Sequence, residues 1–140
     1  MIEQKKIGIE KALIEWKLLL GEENVLTAPL ELLKYKANTI STERIIPGVI
    51  KVATSNQIPG ILEIANQNKT PIYPISTGNN WGYGSANPVH DNCVVLDLSR
   101  LNKIVDCNQE LGYITIEPGV TQAMLYDYFQ NKNLDFLVPT

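Results

Sequence analysis

Residues 93–98, Cys-Val-Val-Leu-Asp-Leu, form an almost unbroken apolar run. Such a run lacks the polar alternation of a half-exposed strand, so it reads as a strand buried inside a sheet. Two shorter runs precede it. Val49-Ile50-Lys51-Val52-Ala53 reads as a strand, and Pro71-Ile72-Tyr73-Pro74-Ile75 as another. Between them Ile58, Ile61, Leu62 and Ala65 fall at i, i+3, i+4 and i+7, which predicts a helix to about Asn68. Thr54-Ser55-Asn56-Gln57 supplies capping side chains. Pro59 is tolerable only in the first helical turn, which favours Ser55 or Asn56 as the cap over Thr54. Strand, helix and strand in this order predict a βαβ unit with parallel strands.

Before this unit, Ile9, Leu13, Trp16 and Leu20 mark one face of a helix over 7–20, with Gly21 as its stop. Trp16 on that face is expected to be a packing residue. A short helix from Ala28-Pro29-Leu30 to about Lys36 follows, and then a polar loop over 38–44. After the buried run, Lys103–Cys107 and Tyr113–Glu117 are expected to pair as strands across a turn at 108–112. Thr121 caps a last helix, whose apolar face is Leu125, Tyr128 and Phe129 and which ends by Asn133. Val120 is placed to staple onto Leu125. The expected class is α+β: a small βαβ subdomain followed by mixed or antiparallel strands and a helix. A helical lead-in over 1–46 is divided from a domain over 47–140.

Composition excludes several function classes. At 44% hydrophobic and 19% charged residues, the chain can build a core and is not expected to be disordered. Its net charge of −3 comes without a basic run, which argues against nucleic acid. No apolar run approaches the ~18 residues of a membrane span, and no apolar leader follows Met1–Lys6; the expected location is the cytoplasm. Cys93 and Cys107 lack metal-type spacing and are expected to be reduced thiols in or near the core. His90, between Val89 and Asp91, reads as a solvated loop residue with no acid–base partner.

Chemistry concentrates in Ser76-Thr77-Gly78-Asn79-Asn80-Trp81-Gly82-Tyr83-Gly84. Three glycines in this stretch permit positive φ and close approach of a ligand to the backbone. Successive N–H groups in such turns form an anion-binding nest, and the Ser, Thr and Asn side chains add neutral donors. There is no Lys, Arg, Asp or Glu, so an anion here would be held by dipoles. The spacing G-x-x-x-G-x-G matches neither the dinucleotide fingerprint nor the P-loop. On spacing alone, a ligand-free surface turn and a pyrophosphate cradle both remain open.

The string Ile72-Tyr73-Pro74-Ile75-Ser76-Thr77-Gly78-Asn79-Asn80-Trp81-Gly82-Tyr83-Gly84 resembles the first flavin-binding loop of the p-cresol methylhydroxylase / vanillyl-alcohol oxidase superfamily. Val94–Leu98 with Leu101–Ile104, and then Ile116-Glu117-Pro118-Gly119-Val120-Thr121, follow in the order expected of that family. The resemblance covers about 47–140 and implies the PCMH-type FAD-binding fold, with FAD as cofactor. It implies that Pro74, Ile75, Ser76, Thr77, Gly78, Asn79, Asn80 and Gly82 wrap the pyrophosphate, that Tyr83 and Gly84 continue towards the flavin, and that Pro139 and Thr140 open a second cofactor loop. Glu117-Pro118-Gly119 is either a turn beside the cofactor or a purely structural one. Some relatives attach the flavin through a histidine in the first loop; Asn79 and Asn80 stand here, so no covalent link is expected from it.

The implied activity is flavin-dependent oxidation of a small organic substrate, with a para-substituted phenol as the expected class. The glycine-rich part of the second loop and the substrate domain do not appear in the sequence, so an incomplete domain is expected. The alternative is a truncated or split, non-catalytic FAD-domain fragment that needs the missing half or a partner chain. A module for another pyrophosphate-containing nucleotide is a third reading. An incomplete domain would expose an apolar patch at Leu134, Phe136, Leu137 and Val138 and would tend to self-associate.

Overall fold

A computed structural model of the chain describes residues 2–37, 43–79 and 86–137, with side chains from residue 6 onward. Among the described residues, four α-helices, α1 (Ile2–Leu20), α2 (Pro29–Lys36), α3 (Ile58–Gln67) and α4 (Gln122–Asn131), accompany six strands. The strands are β1 (Val25–Leu26), β2 (Val49–Lys51), β3 (Ile72–Ile75), β4 (Val94–Asp97), β5 (Ile104–Asn108) and β6 (Tyr113–Ile116). The first four form one sheet in the order β1-β2-β4-β3, and the last two form a separate hairpin.

The apolar run takes a central place. β4 lies between β2 and β3 and is parallel to both, so the two strands of the βαβ unit are parallel but not neighbours. All four β4 residues are buried. Side chains alternate across a strand. Val94 and Leu96 join Ile50, Val52, Ile61 and the α1 residues Ile9, Ala12, Trp16 and Leu20 in one core. Val95 joins Val49, Ile75, Leu26, Leu32, Tyr35 and Ala86 in the core on the other face. Residues ahead of position 47 thus contribute α1, β1 and α2 to the two cores. Trp16 is fully buried, and its indole N–H donates to the Ile61 carbonyl at 3.1 Å.

The ends of the elements follow local chemistry. α1 begins at Ile2 rather than 7, and Gly21 stops it at φ 91°. Thr54, not Ser55 or Asn56, is the cap: it forms a capping box with Gln57, whose Oε1 accepts from the Ala53 and Thr54 N–H groups at 2.9 and 3.2 Å. A 3-10 turn over Ser55–Gln57 precedes α3, so the cap moves one turn earlier and Pro59 still falls in the first turn of α3. Thr121 caps α4 by accepting the Met124 N–H at 3.2 Å, and Asn133 beyond the helix adopts φ 52°.

The β5–β6 hairpin is antiparallel, with an irregularity at Val105. Its base is clamped to the end of β4 by the Glu117-Pro118-Gly119 turn. The Lys103 N–H donates to Glu117 Oε2 at 2.8 Å, and the Gly119 N–H to the Leu101 carbonyl at 2.6 Å. Gly119 is buried, and a Cβ there would lie 2.3 Å from the Ser99 carbonyl oxygen. The turn therefore packs on its own chain, where only glycine fits. Beyond α4, Leu134 is half-buried, Phe136 is 39% exposed and Leu137 is 96% exposed; Val138 lies outside the described residues. Replacing Gly119 with Ala is expected to cost about 1–3 kcal/mol through backbone displacement. Urea denaturation checks this, and a midpoint unchanged from wild type would refute the packing role.

Candidate functional site

β3 and β4 end side by side, with Ile75 opposite Asp97. In open parallel sheets, ligands collect beyond the carboxyl ends of the strands. Here the chain leaves β3 into Ser76–Asn79 and leaves β4 into Leu98–Arg100. A cavity of about 280 Å³ opens at this edge, with Thr77, Gly78 and Asn79 on one side and Lys34 and Tyr35 of α2 on the other. Asp97 and Ser99 border it from the end of β4.

The loop geometry suits an anion. Gly78 adopts φ 79°, a conformation other residues enter only with strain. Among the described residues, no group accepts a hydrogen bond from the N–H of Ser76, Thr77, Gly78 or Asn79. Ser76, Thr77 and Asn79 are exposed. Pro74 is tolerated because β3 is an edge strand, and Ile75 turns inward to pack in the second core. The sequence-expected residues Pro74, Ile75, Ser76, Thr77, Gly78 and Asn79 are thus gathered at one strand end. Asn80, Gly82, Tyr83, Gly84, Pro139 and Thr140 lie outside the described residues. His90 is exposed, Cys93 is buried and Cys107 is half-buried, and no disulfide joins the two cysteines. A second cavity, about 210 Å³ between the hairpin and α4, is walled largely by Ile114, Leu125, Phe129 and Phe136, and suits an anion poorly.

The polar floor of the site was not apparent from the sequence. The Tyr35 hydroxyl donates to Asp97 Oδ2 at 2.6 Å, and the Ser99 N–H donates to Asp97 Oδ1 at 2.9 Å. Tyr35 and Asp97 are both buried. Burial pushes the Asp97 carboxyl up, but hydrogen bonds from Ser99 and Tyr35, with Lys34 nearby, outweigh it and hold the group below its ordinary value. The Tyr35 hydroxyl is driven far above its ordinary value by burial, and then by the hydrogen bond to the Asp97 carboxylate and by its charge; Arg100 pulls the other way. An Asp inside an apolar strand run was the available signal, because a buried carboxylate must have partners. One of its two partners, Tyr35, lies 62 residues earlier in the chain.

Comparison with known proteins places this arrangement. Residues 46–139 match the family described as FAD binding domain, and the chain belongs to that family. The flavoprotein subunit of 4-cresol dehydrogenase (hydroxylating) from Pseudomonas putida is 39% identical, over 91% of this chain and 25% of its own length. The 1'-carboxy-chondrochloren decarboxylase of Chondromyces crocatus is 38% identical, over 89% of this chain and 23% of its own. The crystal structure of p-cresol methylhydroxylase with substrate bound superposes with a TM-score of 0.89 at 38% identity, covering 94% of this chain and 26% of that one. The chain therefore has the PCMH-type FAD-binding fold and spans about a quarter of the length of these relatives. FAD is the cofactor of this domain type. The described residues fit its diphosphate: unengaged N–H groups line a turn that glycine keeps open.

The Tyr35–Asp97 pair predicts a pH dependence at both ends. Asp97 has a lowered value in the fold, so its contribution is full above the unfolded carboxylate value of about 3.9 and is lost as pH falls through the folded value. Tyr35 has a raised value, so its contribution is full below about 10 and is lost as pH rises through the folded value. Asp97→Asn should flatten the acid limb of stability. Tyr35→Phe should flatten the alkaline limb and cost about 1–3 kcal/mol at neutral pH by leaving the buried carboxylate under-bonded. Urea midpoints between about pH 2 and 11 test both, and limbs parallel to wild type would refute the assignment.

Proposed function

We propose that this chain supplies the pyrophosphate-binding part of a flavin-dependent oxidoreductase. The observation that carries the reading is the row of N–H groups from Ser76 to Asn79, without acceptors among the described residues, at the joined ends of β3 and β4. In this reading Pro74 and Ile75 set the loop's exit, Ser76–Asn79 hold the diphosphate, and Asn80, Gly82, Tyr83 and Gly84 extend the wall. Pro139 and Thr140 begin the second cofactor loop. The cofactor domain runs over 47–140, and the segment 1–46 buttresses it.

The flavin, when bound, accepts a hydride from the substrate. A para-substituted phenol is the proposed substrate class, supported by the phenolic names of the 4-cresol dehydrogenase and p-cresol methylhydroxylase relatives. Among the described residues no helix is long and apolar enough to cross a membrane; a cytoplasmic location is proposed with the rest. A second reading, in which the chain acts only with a partner chain or further protein around the cofactor, is favoured by the size of the cavity. The cavity of about 280 Å³ is at or below the small end of cofactor sites, which run from roughly 300 to 1,000 Å³.

FAD binding by the purified chain is therefore expected to be weak, detectable by equilibrium dialysis but lost on gel filtration. Gly78→Val should weaken it about tenfold, because a β-branched residue at positive φ closes the turn or distorts it. A wild-type chain whose dialysis shows no FAD uptake would sink cofactor binding by this chain alone. Equal affinity in Gly78→Val would sink the role of the loop.

A further inference from the structure

The segment 76–84 carries no charged side chain, yet the ligand class proposed for it is a diphosphate. The buried carboxylate of Asp97 borders the same cavity and adds a negative charge that an incoming anion must meet. Backbone dipoles alone would have to work against that charge. A cation is needed at the rim, and the loop does not contain one.

We infer that Lys34 of α2 is the cation that neutralises the anion held on the Thr77–Asn79 loop. The inference rests on the pyrophosphate reading of the loop and adds a residue that lies outside the loop and 40 or more positions earlier in the sequence. Among the described residues lining the cavity, Lys34 is the only Lys or Arg. Its ammonium sits 4.5 Å from the centroid of the Tyr35 ring. Tyr35 is in turn held by its hydrogen bond to Asp97, so the aromatic face under the ammonium is fixed in place. Lys34 makes no ion pair within 4 Å among the described residues, where the single bridge joins Lys11 and Glu15, though its charge also acts on Asp97. Arg100, the nearest alternative from the β4 side, already donates from Nη1 to Asn24 Oδ1 at 2.7 Å.

Lysine suits this place as a compact charge on a flexible stem, able to turn from the tyrosine face to a phosphate oxygen. The interaction is electrostatic and partly exposed, so it should be sensitive to salt. α2 also gains a role beyond packing: its buried face carries Leu32 and Tyr35 into the core, while Lys34 on the next face lines the cavity.

The test uses ADP, the pyrophosphate half of the cofactor, titrated into the nitrogen-15-labelled full chain at low salt. Amide shifts of Thr77, Gly78 and Asn79 report binding even when it is weak. Lys34→Met should weaken ADP binding about tenfold and reduce its salt dependence, while Lys34→Arg stays near wild type. Riboflavin, which has no phosphate, should respond alike in all three proteins, and the rest of the spectrum should show that each is folded. Wild-type affinity and salt dependence in Lys34→Met would overturn the inference and leave the loop reading intact. Failure of ADP to shift the loop amides of the wild-type chain would overturn the loop reading itself, and the inference with it.

Discussion

Burial of β4 on both faces is the constraint on which the rest depends. Val94, Val95 and Leu96 are each 4% exposed or less. Side chains of this size contribute roughly 1.5–3 kcal/mol each when fully buried, so together they approach the entire net stability of a small domain. A strand so placed needs cover on two sides. α1 and α3 provide one layer, and α2 with the loop after β3 provides the other. Parallel neighbours on both edges follow, and with them two strand ends that open at the same level.

The same strand carries its own exception. Asp97 continues the alternation of β4 and therefore points to the α2 side, into a core. Burying an ionised carboxylate costs several kcal/mol unless its oxygens are well bonded. Tyr35 and Ser99 satisfy one oxygen each, and this ties α2 to the strand end beside the loop. The wall of the candidate cavity is thus assembled from two distant parts of the chain by one polar contact. The hairpin and α4 attach at the other side of this strand end, through a turn in which Gly119 leaves no room for a side chain.

Among the described residues, the proposed loop offers backbone N–H groups rather than charged side chains. Ser76–Asn79 presents N–H groups, and the titratable groups close to them are structural or charge-balancing. A site of the proposed kind would bind and position a cofactor that carries the chemistry itself. Relatives of this chain bear the names of a dehydrogenase and a decarboxylase at nearly equal identity. A shared cofactor cradle is compatible with either activity, because what the cofactor is made to do depends on other parts of a protein.

Local chemistry made much of this legible. The apolar run at 93–98 marked the central strand and Thr121 the start of α4, because each depends on residues close in sequence, and the Gly-rich string at 76–84 marked the loop proposed to hold the ligand. The cap at Thr54 was misplaced, since an inserted 3-10 turn obeys the same proline rule one turn further on. Strand order was not legible: nothing local in 49–75 says that a strand from 94–97 will lie between β2 and β3. Nor was the union of Tyr35, Asp97 and Lys34 with Thr77–Asn79. By itself the sequence determined which segments become helices and strands and which loop is the candidate for an anion. Only the tertiary structure decided which side chains share that loop's space, because strand pairing and burial act between segments that local patterns cannot join.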